Sequence, residues 1–161
     1  MKYNLDDKNR KILEILQEDA KISIKDIAKR INLSFTPTYE RIKQLEEVEI
    51  IEGYMAIINR QKVGLKVSAF CNTTLKEQSR AALIEFEKAV LEIPEIVEII
   101  SVSGNYDYML KILATDIESY NKFMVDVIAN LPYIGHYHSS IILSEVKRET
   151  IIKIPDLESE N

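Results

Sequence analysis

The segment NLSFTPTYERIKQLEE, residues 32–47, begins with turn-forming and capping residues and continues as a helix of mixed charge. Ser34 suits the N-cap position, and Pro37 falls in the first turn, where its missing N–H costs little. With about 100° of rotation per residue, four residues share the side expected to face the domain core: Phe35, Thr38, Ile42 and Leu45. The opposite side is polar and carries Thr36, Glu40 and Lys43. The segment therefore predicts a helix with one apolar side and one exposed polar side.

Two shorter helices are predicted ahead of this segment. DDKNRKILEILQED, residues 6–19, has apolar residues at helical spacing and acidic residues in the first turn, where the helix dipole favours them. SIKDIAKRIN, residues 23–32, begins with a serine suited to the N-cap and ends with an asparagine that tolerates the left-handed conformation closing a helix. A helix, a turn and a second helix with a polar outer face are typical of a helix-turn-helix. A structural bundle of three helices is the alternative that spacing alone leaves open.

The polar face of the third helix has the composition of a DNA-binding surface. A major groove admits one helix, whose N-terminal residues reach base edges while Lys and Arg reach phosphates. Exposed N–H groups at the start of that helix also donate to phosphates. The expected DNA contacts are Lys25, Lys29, Ser34, Thr36, Thr38, Tyr39, Glu40, Arg41 and Lys43. Arg41 has a second interpretation, in which it pairs with an acid such as Glu14 and holds the helices together.

After residue 51 the pattern changes. Residues 50–65 predict a strand or hairpin followed by a linker. Six segments then follow in the order strand, helix, strand, strand, helix, strand: residues 66–76, 79–93, 96–104, 106–115, 115–131 and 134–148. The second helix is expected to begin with a capping box formed by Thr115 and Glu118. This order predicts a ferredoxin-like βαββαβ domain, with one antiparallel sheet and both helices on one face.

Charge is divided unevenly between the two parts of the 161-residue chain, whose net charge is −5. Residues 1–62 carry 12 Lys and Arg against 11 Asp and Glu, a net +1, and the remainder carries 9 against 15, a net −6. A DNA-binding surface must therefore be local to the first part. One cysteine excludes an internal disulfide, and apolar runs fall short of the ~18 residues of a membrane span. We expect a cytoplasmic protein with no membrane contact.

The whole pattern resembles the Lrp/AsnC (feast/famine) family of prokaryotic transcription regulators over nearly its full length. The resemblance rests on the helical segments, on the Ser-x-Thr-Pro-x-x-x-Arg run from Ser34 to Arg41, on VSGNYDYMLKI at residues 102–112, and on ILSEVK at residues 142–147. It implies an N-terminal winged helix-turn-helix that reads an operator. It also implies a C-terminal domain that dimerises and senses a small molecule, often an amino acid, with dimers assembling into octamers or other rings. Family members usually have glycine after the recognition helix, where this chain has Glu49.

The resemblance also points to an effector site at the turn GNYD, which reads Gly-Asp-Tyr-Asp in the family. The expected effector contacts are Gly104, Asn105, Tyr106, Asp107 and Ser139. Backbone N–H groups of the turn can bind a carboxylate, and Asp107 can pair with an α-ammonium, so an amino acid would fit. Read without the resemblance, the segment is a β-turn in which Asp107 caps its own backbone.

Other function classes find less support in the residues. We identify no nucleophile–base pair, phosphate-binding loop or set of metal ligands, so we expect neither an enzyme nor a bound metal or cofactor beyond the effector. His136 and His138 share one strand face without a third ligand. The predicted partners are double-stranded DNA, an amino acid effector and further copies of this chain. The alternative is an amino-acid-binding oligomerisation module whose helices bind protein instead of DNA.

The predicted fold class is α+β, with four regions along the chain. Residues 1–50 form the helix-turn-helix domain and residues 51–64 a strand and linker. Residues 65–148 form the effector-binding and oligomerisation domain, and residues 149–161 a C-terminal extension with a disordered tail. An open apolar sheet face is an association surface, so we expect a homodimer formed through the sheets.

Overall fold

The structure is a computed structural model that describes residues 5–147 and 150–155. The predicted disordered tail, residues 156–161, lies outside the described residues. Two compact units are present: Met1–Ile57 with Lys147–Asn161, called the helical unit below, and Ile58–Val146, called the sheet unit. Within the described ranges, none of the helices has both the length and the apolar character needed to cross a membrane.

The helical unit contains the three predicted helices, α1 (Asp7–Glu18), α2 (Ile24–Arg30) and α3 (Phe35–Glu47). Side chains cap the first two helices, since Asp6 accepts from the N–H of Asn9 and Ser23 accepts from the N–H of Asp26. The apolar stripes of the three helices meet in one buried cluster: Ile12, Leu13, Ile15, Ile27, Ile31, Ile42 and Leu45. The periodicity of α3 therefore predicted Ile42 and Leu45 in this core correctly, whereas Phe35 lies outside it.

Two left-handed residues end α2 and α3. Asn32 has φ +54°, as predicted, and the N–H of Leu33 closes the turn by donating to the carbonyl of Ala28 at 3.0 Å. At the end of α3, Glu49 has φ +58°, and its N–H and that of Ile50 donate to carbonyls one turn back, each at 3.0 Å. This is the bonding of a Schellman motif, in which glycine is the preferred left-handed residue. A glutamate occupies that position here, so it bears a backbone penalty that glycine avoids.

The structure of a single chain contradicts the strand or hairpin predicted after α3. Residues 52–58 have no strand partner among the described residues, and residues 60–64 form turns. The predicted wing is therefore not formed by the part of the chain that the structure describes. The apolar side chains of this segment fit a strand, but a strand needs a neighbour to satisfy its backbone, and the described ranges offer it none. Met55 is 84% exposed and Ile57 is 68% exposed.

The sheet unit has the predicted βαββαβ order. Its elements are β1 (Val67–Leu75), α4 (Arg80–Leu91), β2 (Ile96–Ser101), β3 (Tyr108–Ala114), α5 (Ile117–Asp126) and β4 (Ile134–Ile141), with a short 3₁₀ turn at Ile128–Asn130. The strands lie in the order β2-β3-β1-β4, and every neighbouring pair is antiparallel. The predicted ferredoxin-like domain is confirmed.

Helices α4 and α5 cover one face of this sheet. Phe86 and Val90 of α4 and Tyr120, Phe123 and Met124 of α5 pack with alternate residues of β1 and β3 in one cluster. The predicted capping box of α5 is wrong. Asp116, not Thr115, is the N-cap and accepts from the N–H of Ser119 at 2.7 Å, because its carboxylate is the stronger acceptor. The predicted last strand also ends earlier, at Ile141 instead of residue 148.

Candidate DNA-binding face and effector site

Helix α3 presents the polar face that the sequence predicted. Thr36, Glu40 and Lys43 are exposed along it, and Lys43 lies 3.4 Å from Glu47, one turn further along the helix. Both partners of that ion pair are more than half exposed, so the pair is weak and Lys43 can exchange its carboxylate for a phosphate. Ser34 is exposed at the N-cap, and its side chain forms no capping bond within the described chain.

The structure confirms that Thr38 faces the core and contradicts its predicted contact with DNA. Thr38 is 0% exposed, and its hydroxyl donates to the carbonyl of Ser34 at 2.9 Å. We therefore remove Thr38 from the expected DNA contacts, since a buried and satisfied hydroxyl cannot reach a duplex. Phe35, predicted to face the core, is 50% exposed. Its ring stacks parallel on Tyr39, one turn on, with 6.4 Å between ring centroids.

The stacked pair Phe35 and Tyr39 is a feature that the sequence analysis missed. Aromatic residues four apart on a helix are neighbours, so the spacing alone could have indicated it. Tyr39 is 46% exposed and remains available as a flanking contact. The pair places two apolar ring surfaces beside the polar face of α3, where they can meet the methyl group of thymine as well as a sugar.

Arg41 holds α3 to the start of α1. Its guanidinium donates to the carboxylate of Asp6 at 2.6 Å and to the side-chain oxygen of Asn9 at 2.9 Å. Burial alone would raise the pKa of the Asp6 carboxyl, but bonds from the Asn9 N–H and from Arg41 outweigh it and hold that pKa below its usual value. The structure therefore shows the interhelical pairing of Arg41, with Asp6 as the acid in place of Glu14.

The lysines on α2 lie at the surface. Lys25 is exposed, and Lys29 is 3.4 Å from Asp26 on the same helix. The hydroxyl of Ser23 and the ammonium of Lys29 lower the pKa of the exposed Asp26 carboxyl. Both lysines are free to reorient toward a phosphate, because surface pairs of this kind contribute little. Of the nine predicted DNA contacts, seven lie at the surface with their side chains available.

The proposed effector turn joins β2 to β3 and is braced from both ends. The N–H of Val102 donates to the carbonyl of Asp107 at 3.0 Å, and the N–H of Asp107 donates to the carbonyl of Thr73 on β1 at 2.9 Å. Gly104 has φ +113°, a conformation that other residues rarely adopt, so glycine is required there. Gly104 and Asn105 are exposed and Tyr106 is half-buried.

Asp107 is engaged within the chain. One carboxylate oxygen accepts from the N–H of Leu75 at 2.7 Å and the other from the side-chain amide of Gln78 at 2.9 Å. Asp107 thus fixes the connection between β1 and α4, a role that sequence reasoning assigned neither to it nor to Gln78. No local pattern indicates this contact, because 29 and 32 residues separate the partners. Each carboxylate oxygen keeps acceptor capacity for a further donor.

Ser139 lies across β1 from this turn. It pairs in register with Cys71, and the strand order places β1 between β4 and β3. Its hydroxyl lies 3.9 Å from the sulfur of Met124 on α5. Within one chain, the structure therefore groups four of the five predicted effector residues and places Ser139 elsewhere. In the described parts of the chain, His, Cys, Asp and Glu side chains do not gather in any group of three that could hold a metal.

Two known domains match this chain. Residues 5–46 match the AsnC-type helix-turn-helix domain, and residues 68–152 match the Lrp/AsnC ligand binding domain. The first match covers the three helices, and the second covers the sheet with the GNYD turn. Each matched domain therefore contains one of the two candidate sites.

Full-length relatives and solved structures agree with these domain matches. Transcriptional regulator AzlB of Bacillus subtilis is 35% identical over 95% of this chain and 98% of its own. The leucine-responsive regulatory protein of Escherichia coli is 33% identical over 94% and 92%. The crystal structure of the Neisseria meningitidis regulator NMB0573 in complex with L-Met aligns with a TM-score of 0.89 at 29% identity, covering 93% of this chain and 97% of that one. The chain belongs to the Lrp/AsnC family of transcriptional regulators.

Proposed function

We propose that this protein binds operator DNA through α3 and that an amino acid changes its assembly or its DNA affinity. The single observation that carries the proposal is the outer face of α3. Its polar residues are exposed, while buried Thr38 and the Arg41–Asp6 pair hold the helix in place. A rigid helix with a free polar face is what major-groove recognition requires.

Contacts to DNA would divide between base edges and phosphates. Thr36 and Glu40 lie where the N-terminal half of a recognition helix meets bases, and a glutamate can accept from the amino group of cytosine. Lys25, Lys29 and Lys43 would neutralise phosphates and set the register of the helix on the duplex. Phosphate contacts supply affinity and salt dependence, whereas Thr36 and Glu40 would supply sequence preference.

The effector would bind at the GNYD turn. The turn offers backbone N–H groups to a carboxylate, and Asp107 offers its remaining acceptor capacity to an ammonium. Support comes from the names of relatives, since one responds to leucine and a similar structure contains L-Met. A ligand bound at Asp107 would weaken or strengthen the hydrogen bonds that Asp107 accepts from Leu75 and Gln78. In this way ligand binding would affect the connection between β1 and α4. We propose no other cofactor.

We further propose a homodimer formed through the sheet face that α4 and α5 leave uncovered, with dimers assembling into octamers. Four apolar residues share that face by the strand register: Phe70, Ile100, Met109 and Leu113. In one chain Ile100 is exposed and the other three are only partly buried. An apolar sheet face of this kind favours burial against a second copy. Lys111 and Glu98, paired at 2.8 Å on the same face, would restrict the possible registers.

The test combines DNA selection with effector titration. Sequences recovered from a random duplex library by the full-length protein should share one palindromic motif, and affinity for it should change with at least one of the twenty amino acids. Mass photometry of the same samples would report assembly. Recovery of no enriched motif would contradict DNA recognition, and would favour the alternative in which the helices bind protein.

A further inference from the structure

The C-terminal segment, residues 150–155, belongs to the helical unit, although β4 before it belongs to the sheet unit. Gln17 on α1 binds the backbone of this segment twice. The N–H of Ile152 donates to the side-chain oxygen of Gln17 at 2.7 Å, and the side-chain nitrogen donates to the carbonyl of Ile152 at 3.2 Å. One amide thus satisfies both backbone groups of one residue, as a neighbouring strand would.

An apolar side chain two residues further on completes the contact. Ile154 is partly buried and packs against the core of the helical unit, whereas the side chain of Ile152 is 71% exposed. Pro155 follows and disfavours a helical conformation at Ile154, which keeps the segment extended. Recognition therefore combines the backbone of Ile152 with the side chain of Ile154.

We propose that α1 carries a docking site for the chain's own C-terminal segment, that Gln17 is the residue that recognises it, and that the segment acts as a second tether on the helical unit. The chain passes into the sheet unit after Ile57 and returns after Val146. Without the clamp at Gln17, the C-terminal segment would not be held to α1, and the chain would link the two units through the linker after Ile57. With it, both ends of the sheet unit are tied to the helical unit.

Trypsin digestion of the full-length protein tests the clamp, because Lys153 lies inside the docked segment. Gln17→Met keeps the side-chain length and removes both hydrogen bonds. It should speed cleavage after Lys153 by at least about fivefold, since cleavage follows the population of the open form. Glu18→Gln, on the next residue of the same helix, should leave the rate unchanged. Equal rates in wild type and Gln17→Met would overturn the proposal.

Hydrogen exchange tests the backbone contact of Ile152 and the side-chain contact of Ile154 separately, and it does not depend on DNA binding. The amide of Ile152 should exchange more slowly in the full-length protein than in a synthetic peptide of residues 147–161. Ile154→Ser should abolish this protection, whereas Ile152→Ser should retain it because that side chain is exposed. Exchange at the peptide rate in wild type would contradict the clamp. Protection that disappears on dilution would assign the site to the tail of a second copy and overturn the intramolecular tether.

Discussion

The outer face of α3 and the GNYD turn differ in whether their functional groups are already bound by other residues of the chain. On α3, the residues proposed to touch DNA are exposed, and the ion pair of Lys43 joins it to Glu47 on the same helix. At the turn, Asp107 is bound on both oxygens by residues of another connection. The comparison indicates that removing α3 surface residues changes binding alone, whereas removing Asp107 changes the fold as well as any ligand contact.

The largest effect is expected for Asp107→Ala. It leaves the N–H of the buried residue Leu75 without its charged acceptor, and hydrogen bonds to charged groups are worth about 1.5–3 kcal/mol each. We expect the sheet unit to lose about 2–3 kcal/mol of stability, measured by urea dependence of hydrogen exchange in residues 67–114. Asp107→Asn, which keeps one acceptor, should lose less. An unchanged denaturation midpoint for Asp107→Ala would show that the turn is not braced in this way.

Arg41→Ala should have the next largest effect, on the helical unit. It removes two hydrogen bonds that join α3 to α1, one of them to a partly exposed carboxylate, so we expect a loss of about 1–2 kcal/mol. Chemical denaturation, monitored by hydrogen exchange in residues 7–47, would measure this loss of stability. Lys11→Ala, which removes an exposed ion pair on α1 at 4.0 Å, is the matched control and should change stability by less than about 0.5 kcal/mol. Equal stability of the two variants would contradict the claim that Arg41 stabilises the helical unit.

Glu49→Gly should stabilise the helical unit. The residue has φ +58°, and a left-handed conformation costs an L-residue with a Cβ about 1 kcal/mol relative to glycine. We expect a gain of about 1 kcal/mol, read as a higher melting temperature of the helical unit. Asn32→Gly, at the equivalent position after α2, should gain less because asparagine tolerates this conformation. A lower melting temperature for Glu49→Gly would contradict the Schellman geometry.

A smaller effect is expected from pH. The folded state lowers the pKa of the Asp6 carboxyl, so its bonds stabilise the helical unit above the ordinary aspartate pKa of about 4, and that stability is lost as pH falls through the lowered value. Asp6→Asn should flatten the decline in stability of the helical unit below about pH 4. If the stability of wild type and Asp6→Asn depended on pH in the same way, the bonds of the Asp6 carboxylate would not stabilise the helical unit.

Local patterns predicted much of this molecule. Helical periodicity placed the cores of both units, and the order of elements gave the ferredoxin-like topology. The errors have physical causes. Phe35 lies at the edge of the apolar side of α3, where helical spacing does not decide burial. The strand predicted after α3 has no partner among the described residues. The bonds of Asp107 to Leu75 and Gln78, and of Gln17 to Ile152, join residues distant in sequence, which no local pattern encodes.

The salt dependence of duplex binding tests the central claim most directly. A protein that neutralises phosphates loses affinity linearly in log salt, with a slope of about −0.9 per phosphate contacted. Fluorescence anisotropy of Lys43→Ala should therefore show weaker binding and a slope shallower by about 0.9 than that of wild type, with stability unchanged. Parallel lines and equal affinities for the two proteins would contradict the proposal that the outer face of α3 contacts DNA.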